Sequence, residues 1–126
     1  MKRVLITAIS CFWAVCASAQ VYVDGENINE KNIQYCQLFA TRATLLTRGY
    51  FWIDYGQLSR SNWRKTEIAG KDGNPVTFNS PMDALNFMVR NGWELVSTAV
   101  SADKDGNTSI FTYLLRKRQV IGVVPE

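Results

Sequence analysis

Residues 80–92, Ser-Pro-Met-Asp-Ala-Leu-Asn-Phe-Met-Val-Arg-Asn-Gly, decide the fold. The Ser80 hydroxyl is placed to cap a helix. Pro81 fits the first helical position, where a missing N–H costs nothing. Asp83, three residues after the cap, completes a box-like start and favours the positive end of the helix dipole. Gly92 suits the position just past the helix end, with Arg90 in the last turn. At about 100° per residue, Met82, Ala84, Leu85, Met88 and Val89 form one stripe, with Asp83, Asn86 and Arg90 opposite. Phe87 also falls opposite, out of pattern for a helix that covers a single sheet face.

Two strands follow the helix. Residues 93–100, Trp-Glu-Leu-Val-Ser-Thr-Ala-Val, alternate. Strict alternation puts Trp93, Leu95, Ser97 and Ala99 on one face and Glu94, Val96, Thr98 and Val100 on the other. Residues 110–117, Ile-Phe-Thr-Tyr-Leu-Leu-Arg-Lys, put Phe111, Tyr113 and Leu115 on one face and Ile110, Thr112 and Leu114 on the other. Asp105-Gly106 at the tip between them marks a hairpin. Upstream, residues 32–43 and 49–56 suit strands, the second an aromatic run between Gly49 and Gly56. Thr44 to Arg48 extends both toward a turn. A shorter hairpin around Lys71-Asp-Gly-Asn-Pro75 is left open.

The order is β-β-α-β-β: an α+β fold whose antiparallel sheet of about four strands carries one helix on one face. A helix about 10 Å wide covers about three strands spaced about 4.8 Å apart. The face it leaves is expected to carry Val96, Val100, Ile110 and Leu114. Either the chain ends cover that face or another chain does, the simplest form being a homo-oligomer.

The chain has 126 residues, enough for one small domain. Lys2 and Arg3, the apolar run Val4 to Cys16 and the small residues Ala17-Ser18-Ala19 read as an export signal cut before Gln20. The run is shorter than the roughly 20 residues that span a bilayer. An uncut anchor and a lipidated Cys11 are the lesser alternatives. Taking 19 residues from 126 leaves 107. The net charge falls from +3 to +1, because Lys2 and Arg3 leave. Near-neutrality gives no strong pull toward nucleic acid, and no membrane segment remains after the cut. Residues 20–31 read as a leader or loop, 32–118 as the domain, and 119–126 as a tail that adds an edge strand or hangs free. Location is then periplasmic or secreted.

The sequence has no histidine. That removes His-based acid/base chemistry, Ser-His-Asp and Cys-His triads and imidazole metal sites. Cys36 is the single cysteine left in the processed chain, so no internal disulfide forms, and a buried thiol is its plain reading. Residues 103–110 resemble the start of a calcium loop. Thr108 stands where such a loop needs glycine and Leu114 where it needs the bidentate Glu, so no metal is expected. Asp54 and Glu94 are strand carboxylates with no nucleophile, phosphate loop or metal spacing beside them. Arg116-Lys117-Arg118 is split between faces by alternation. No catalytic residue and no cofactor is read from the chain.

A further candidate site is aromatic. Tyr50, Trp52 and Asp54 share a strand face, and Trp63 and Phe87 are additional members. Stacking rings beside a carboxylate suit a glycan or small ligand. The competing reading is that these rings fill a small core without crosslinks.

Residues 78–88 (Phe-Asn-Ser-Pro-Met-Asp-Ala-Leu-Asn-Phe-Met), 91–96 (Asn-Gly-Trp-Glu-Leu-Val) and 113–117 (Tyr-Leu-Leu-Arg-Lys), with 53–57 (Ile-Asp-Tyr-Gly-Gln), resemble a family of small exported bacterial proteins of unknown function. The Gly-Trp-Glu-Leu-Val strand after a helix is also similar to a broader class of short β-α-β-β domains of unknown function. The resemblance covers about residues 32–118. It implies a fold and an exported location and carries no activity and no catalytic residue. The expectation is a non-catalytic binding or interaction module, with the glycan or small-ligand binder as its alternative.

Overall fold

The computed structural model describes residues 20–45, 48–58, 66–102, 106 and 108–119. The expected export signal at residues 1–19, Trp63, most of the 103–107 turn and the end of the tail lie outside the described residues. The elements are β1 (Tyr22–Val23), β2 (Glu26–Asn27), β3 (Tyr35–Thr41), β4 (Phe51–Asp54), β5 (Ile68–Ala69), α1 (Pro81–Arg90), β6 (Trp93–Ala102) and β7 (Ser109–Lys117). This is an α+β fold. Its main sheet is antiparallel in the order β4-β3-β7-β6, and a smaller sheet runs β2-β1-β5.

The helix forms as its ends dictate. Ser80 Oγ accepts the Asp83 N–H at 3.1 Å, and Asp83 in turn accepts the Asn79 N–H at 2.9 Å. Asn91 caps the other end, and Gly92 follows at φ +90, a left-handed conformation that favours glycine. Pro81, Ala84, Leu85 and Met88 are buried against the sheet. Met82, placed in the apolar stripe by periodicity, is 55% exposed instead.

One face of the sheet is the floor of the core. Cys36, Leu38 and Ala40 of β3, Phe51 and Ile53 of β4, and Tyr113 and Leu115 of β7 are buried there with Trp93. The pairing register explains it: Leu38 lies between Ile53 and Tyr113, and Ala40 between Phe51 and Phe111. Phe87 is no anomaly. Its ring meets Phe78 edge-to-face at 5.2 Å, and Phe78 meets Phe51 at 5.1 Å. The helix has two apolar contacts, one with the sheet and one with the segment that precedes it, so its apolar surface is broader than one stripe.

Residues 20–31 are not a loose leader. Val21, Val23 and Ile28 are fully buried, and β1 pairs with both β2 and β5. Asn29 ties this segment to the helix end: its Oδ1 accepts the Val21 N–H at 2.9 Å, and its Nδ2 donates to the Asn91 carbonyl at 2.7 Å. The 71–75 turn does form, with Gly70 N–H bonded to Asn74 O and Val76 N–H to Ile68 O. Its first arm, β5, pairs with β1, while the return arm contributes the single bridge Ala69↔Pro75. Strand pairing also stops short of Thr44 and Arg48. The Thr41 N–H bonds Tyr50 O and the Tyr50 N–H bonds Thr41 Oγ1, which closes the β3–β4 ladder.

That closure leaves no room at Gly49. A Cβ there would lie 2.8 Å from Thr41 O and 3.2 Å from the Phe51 ring. A backbone oxygen held in a ladder cannot yield. Gly49→Ala is therefore expected to destabilise by about 1–3 kcal/mol, the scale of overpacking. A denaturant midpoint equal to that of the unaltered chain would contradict the expectation.

Candidate functional site

A β-bulge sets the geometry of the candidate surface. Leu95 pairs with Leu115, but Ser97 pairs with Leu114, so one extra residue, Val96, enters β6. The bulge reverses the two-residue phase beyond it. Val100 then pairs with Phe111 and lies on the helix side, while Ile110 and Leu114 lie on the opposite face with Thr41 and Gln37. The expected grouping of Val96, Val100, Ile110 and Leu114 on one face is thus corrected. Ile110 and Leu114 share the open face, Val100 is on the other, and Val96 sits in the bulge.

Four rows cross the open face. Tyr35, Arg116 and Glu94 form one; Asp54, Gln37, Leu114 and Ser97 the next; Trp52, Phe39, Thr112 and Ala99 the third; Thr41, Ile110 and Ser101 the fourth. Trp52 stacks on Phe39 with ring centroids 5.3 Å apart and planes within 9°. Phe39 was missed in the sequence, though alternation along 35–41 would have found it. Among the described residues, no helix covers this face.

The predicted aromatic set is only partly assembled. Trp52 and Asp54 are on the open face, two residues apart. Exposed Tyr50 precedes them and lines a cleft of about 270 Å³ with Arg48, Glu67 and Phe78. Phe87 is on the far side of the sheet, packed on Phe78. Trp63 lies outside the described residues. The Asp54 carboxylate already accepts the Gly56 N–H at 2.9 Å.

The strand carboxylates do not form a pair. Asp54 is on β4 and Glu94 on β6, the two edges of the sheet. Three strand spacings separate them by about 14 Å, beyond the range over which two acids share a reaction. Glu94 Oε1 instead takes Arg116 Nε at 2.7 Å and Nη2 at 2.6 Å. The other members of the basic run are engaged as well. Lys117 Nζ donates to the Lys31 and Asn29 carbonyls, and Arg118 Nη2 to the Val89 carbonyl.

A second cleft, about 350 Å³, lies between the helix start and β7, lined by Arg42, Asn79, Met82, Phe111 and Tyr113. Arg42 stacks over the Phe111 ring at 5.2 Å. The helix cap beside it is filled by Ser80 and Asp83. Among the described residues, no group of three His, Cys, Asp or Glu is arranged to hold a metal ion.

Burial raises the Cys36 thiol from an ordinary 9.0 to about 12, against a smaller opposing effect of the Lys117 charge. At pH 8 its thiolate fraction is lower by about three powers of ten. Thiol reagents are expected to modify Cys36 only through unfolding, at a rate that rises with denaturant. The sign of the pH effect follows. The folded-state value is raised, so between pH 9 and 12 the unfolded chain loses this proton first. Stability from this group is whole below pH 9 and falls by about 1.4 kcal/mol per pH unit above it. Comparing midpoints of the unaltered chain and Cys36→Ala at pH 8 and pH 10 isolates the contribution of this thiol. Equal slopes in both chains would refute it.

Among the described strands, β6 carries the longest run of exposed residues. Every residue of β6 from Leu95 to Ala102 is exposed, with Leu95 at 42%, Val96 at 46% and Val100 at 61%. Both faces and the outer edge of this segment are uncovered by any described element. No family model, curated protein or solved structure matches the chain.

Proposed function

We propose that the chain is a small exported, non-catalytic interaction module that works through the outer half of the β6–β7 hairpin and the adjoining open face. The observation that carries this reading is the exposure of β6 beyond Glu94 on both faces. A strand left bare and uncharged over eight residues is a template for another chain. Its three large apolar members, Leu95, Val96 and Val100, add surface that water solvates poorly.

Export is part of the proposal. Val21 is already fully buried, so the described core begins just after the expected cut between Ala19 and Gln20. No helix among the described residues is long and apolar enough to cross a membrane. The protein recovered from outside the cytoplasm is expected to begin at Gln20. A chain that keeps Met1 and stays in the cytoplasm would overturn this part.

The interaction reading is tested by placing a photo-crosslinking residue at Val100, at Thr112 and, for comparison, at exposed Lys71. Crosslinking in the cells that make the protein is expected to give defined adducts at Val100 and Thr112. Equal yields at Lys71 would reject the surface.

The glycan reading keeps one specific support, the Trp52–Phe39 stack with Gln37 and Asp54 in the next row. It predicts that oligosaccharides shift the Trp52 side-chain resonances and that Trp52→Ala abolishes binding. Unchanged resonances across a panel of neutral and acidic sugars would remove it.

A further inference from the structure

We propose that the partner of β6 is a second copy of this chain, paired antiparallel along the free edge with Ala99 on the two-fold axis. The inference rests on the interaction reading above and names its occupant.

β6 and β4 are the two edges of the main sheet. β4 has four residues, ends at Asp54, and is bridged on its outer side through Trp52↔Glu67. β6 has ten residues, and the described structure puts nothing on its outer side. Edge strands are normally guarded by lysine, proline or inward charge. Leu95 to Ala102 has none of these. The bulge is the one guard present, and it sits at the strand's near end. Beyond it the ladder is regular from Ser97 to Ala102.

The regular part is self-complementary. Residues 97–101 read Ser-Thr-Ala-Val-Ser. A two-fold axis normal to the sheet keeps each side chain on its own face. Directly opposed residues must therefore share a face, and one residue must oppose itself. With Ala99 on the axis, Ser97 opposes Ser101 on the open face. Thr98 opposes Val100 on the helix side, and Thr and Val have nearly the same shape. No pair places like charges together, and each exposed Val100 gains a β-branched neighbour. Glu94 falls beyond this stretch and is already held by Arg116. The product is one continuous sheet of eight strands with the helices of both copies on the same side.

Three measurements test this on the processed chain. Sedimentation should show a concentration-dependent dimer. Val100→Lys should weaken it at least tenfold and leave the melting temperature unchanged at dilutions where the unaltered chain is itself monomeric, because Val100 is exposed in the single chain. An Ala99→Cys variant should form a disulfide-linked dimer under mild oxidation. Opposed Cα atoms in such a ladder are about 4.5–5.5 Å apart, within disulfide reach. Thr112→Cys lies in the same row but one strand inward, and should not crosslink. Cys36 is buried and stays silent. A chain that remains a monomer at millimolar concentration overturns the proposal, as does equal crosslinking at Ala99→Cys and Thr112→Cys. If Val100 meanwhile yields an adduct with a different protein in cells, the interaction reading stands and self-pairing falls. If Val100 and Lys71 give equal yields, the interaction reading itself falls.

Discussion

A chain cut back to begin at Asn32 is expected not to fold. The cut removes Val21, Val23 and Ile28, all fully buried. Each such side chain contributes about 1.5–3 kcal/mol by burial, so three account for roughly 5–9 kcal/mol. That approaches the whole stability of a typical domain, about 5–15 kcal/mol. The losses do not end there. β5 loses its ladder partner, and Lys117 loses the Asn29 and Lys31 carbonyls that hold its ammonium. The Asn91 carbonyl at the helix end loses the Asn29 amide. The shortened chain should show collapsed amide dispersion by NMR and no cooperative thermal transition. A single change in the same place separates packing from polar ties. Asn29→Ala keeps the three aliphatic residues and removes two hydrogen bonds, one of them to the otherwise buried Val21 backbone. Its expected loss is about 1–3 kcal/mol, with the fold retained. Native dispersion in the shortened chain would show that residues 20–31 decorate the domain rather than build it.

Legibility in the sequence followed the length of each element. The helix could be read residue by residue, because each end carries its own chemistry: Ser80, Pro81 and Asp83 at one, Arg90 and Gly92 at the other. The β6–β7 hairpin could be read because long strands repeat their alternation several times. β1, β2 and β5 could not. Each has two residues, too few to show a period, and the buried Val21, Val23 and Ile28 are interrupted by Asp24-Gly25-Glu26-Asn27, which reads as loop. The bulge was invisible for a different reason. One inserted residue leaves composition unchanged, yet it reverses every face assignment beyond it, and this is why Val100 parted from Ile110 and Leu114. Phe87 signalled correctly that the helix has a second contact. The partner, Phe78, lies nine residues earlier, and periodicity within the helix contains no information about it.

Trp93→Ala is expected to be the most damaging single substitution, while Trp93→Phe should be nearly harmless. Trp93 has no exposed surface and sits where the helix end, the N-terminal segment and the β6–β7 ladder meet. Lys117 lies across its ring at 5.7 Å. That ammonium is held by the Lys31 carbonyl at 2.7 Å and the Asn29 carbonyl at 3.1 Å, so the cation cannot follow a shrinking side chain. Truncation to alanine loses the burial and leaves a cavity, for about 3–5 kcal/mol. Phenylalanine keeps most of the volume and the aromatic face under Lys117. It also deletes the indole N–H, which is buried and has no hydrogen-bond partner among the described residues. An unpaired buried donor costs about 1–3 kcal/mol. That gain offsets the smaller volume, and the net change should fall within about 1 kcal/mol of zero. Lys117→Met tests the contact itself: it should cost more in the unaltered chain than in Trp93→Ala, with a coupling of about 0.5–1 kcal/mol. If Trp93→Phe proves as damaging as Trp93→Ala, the indole N–H is doing structural work and the cavity argument is wrong.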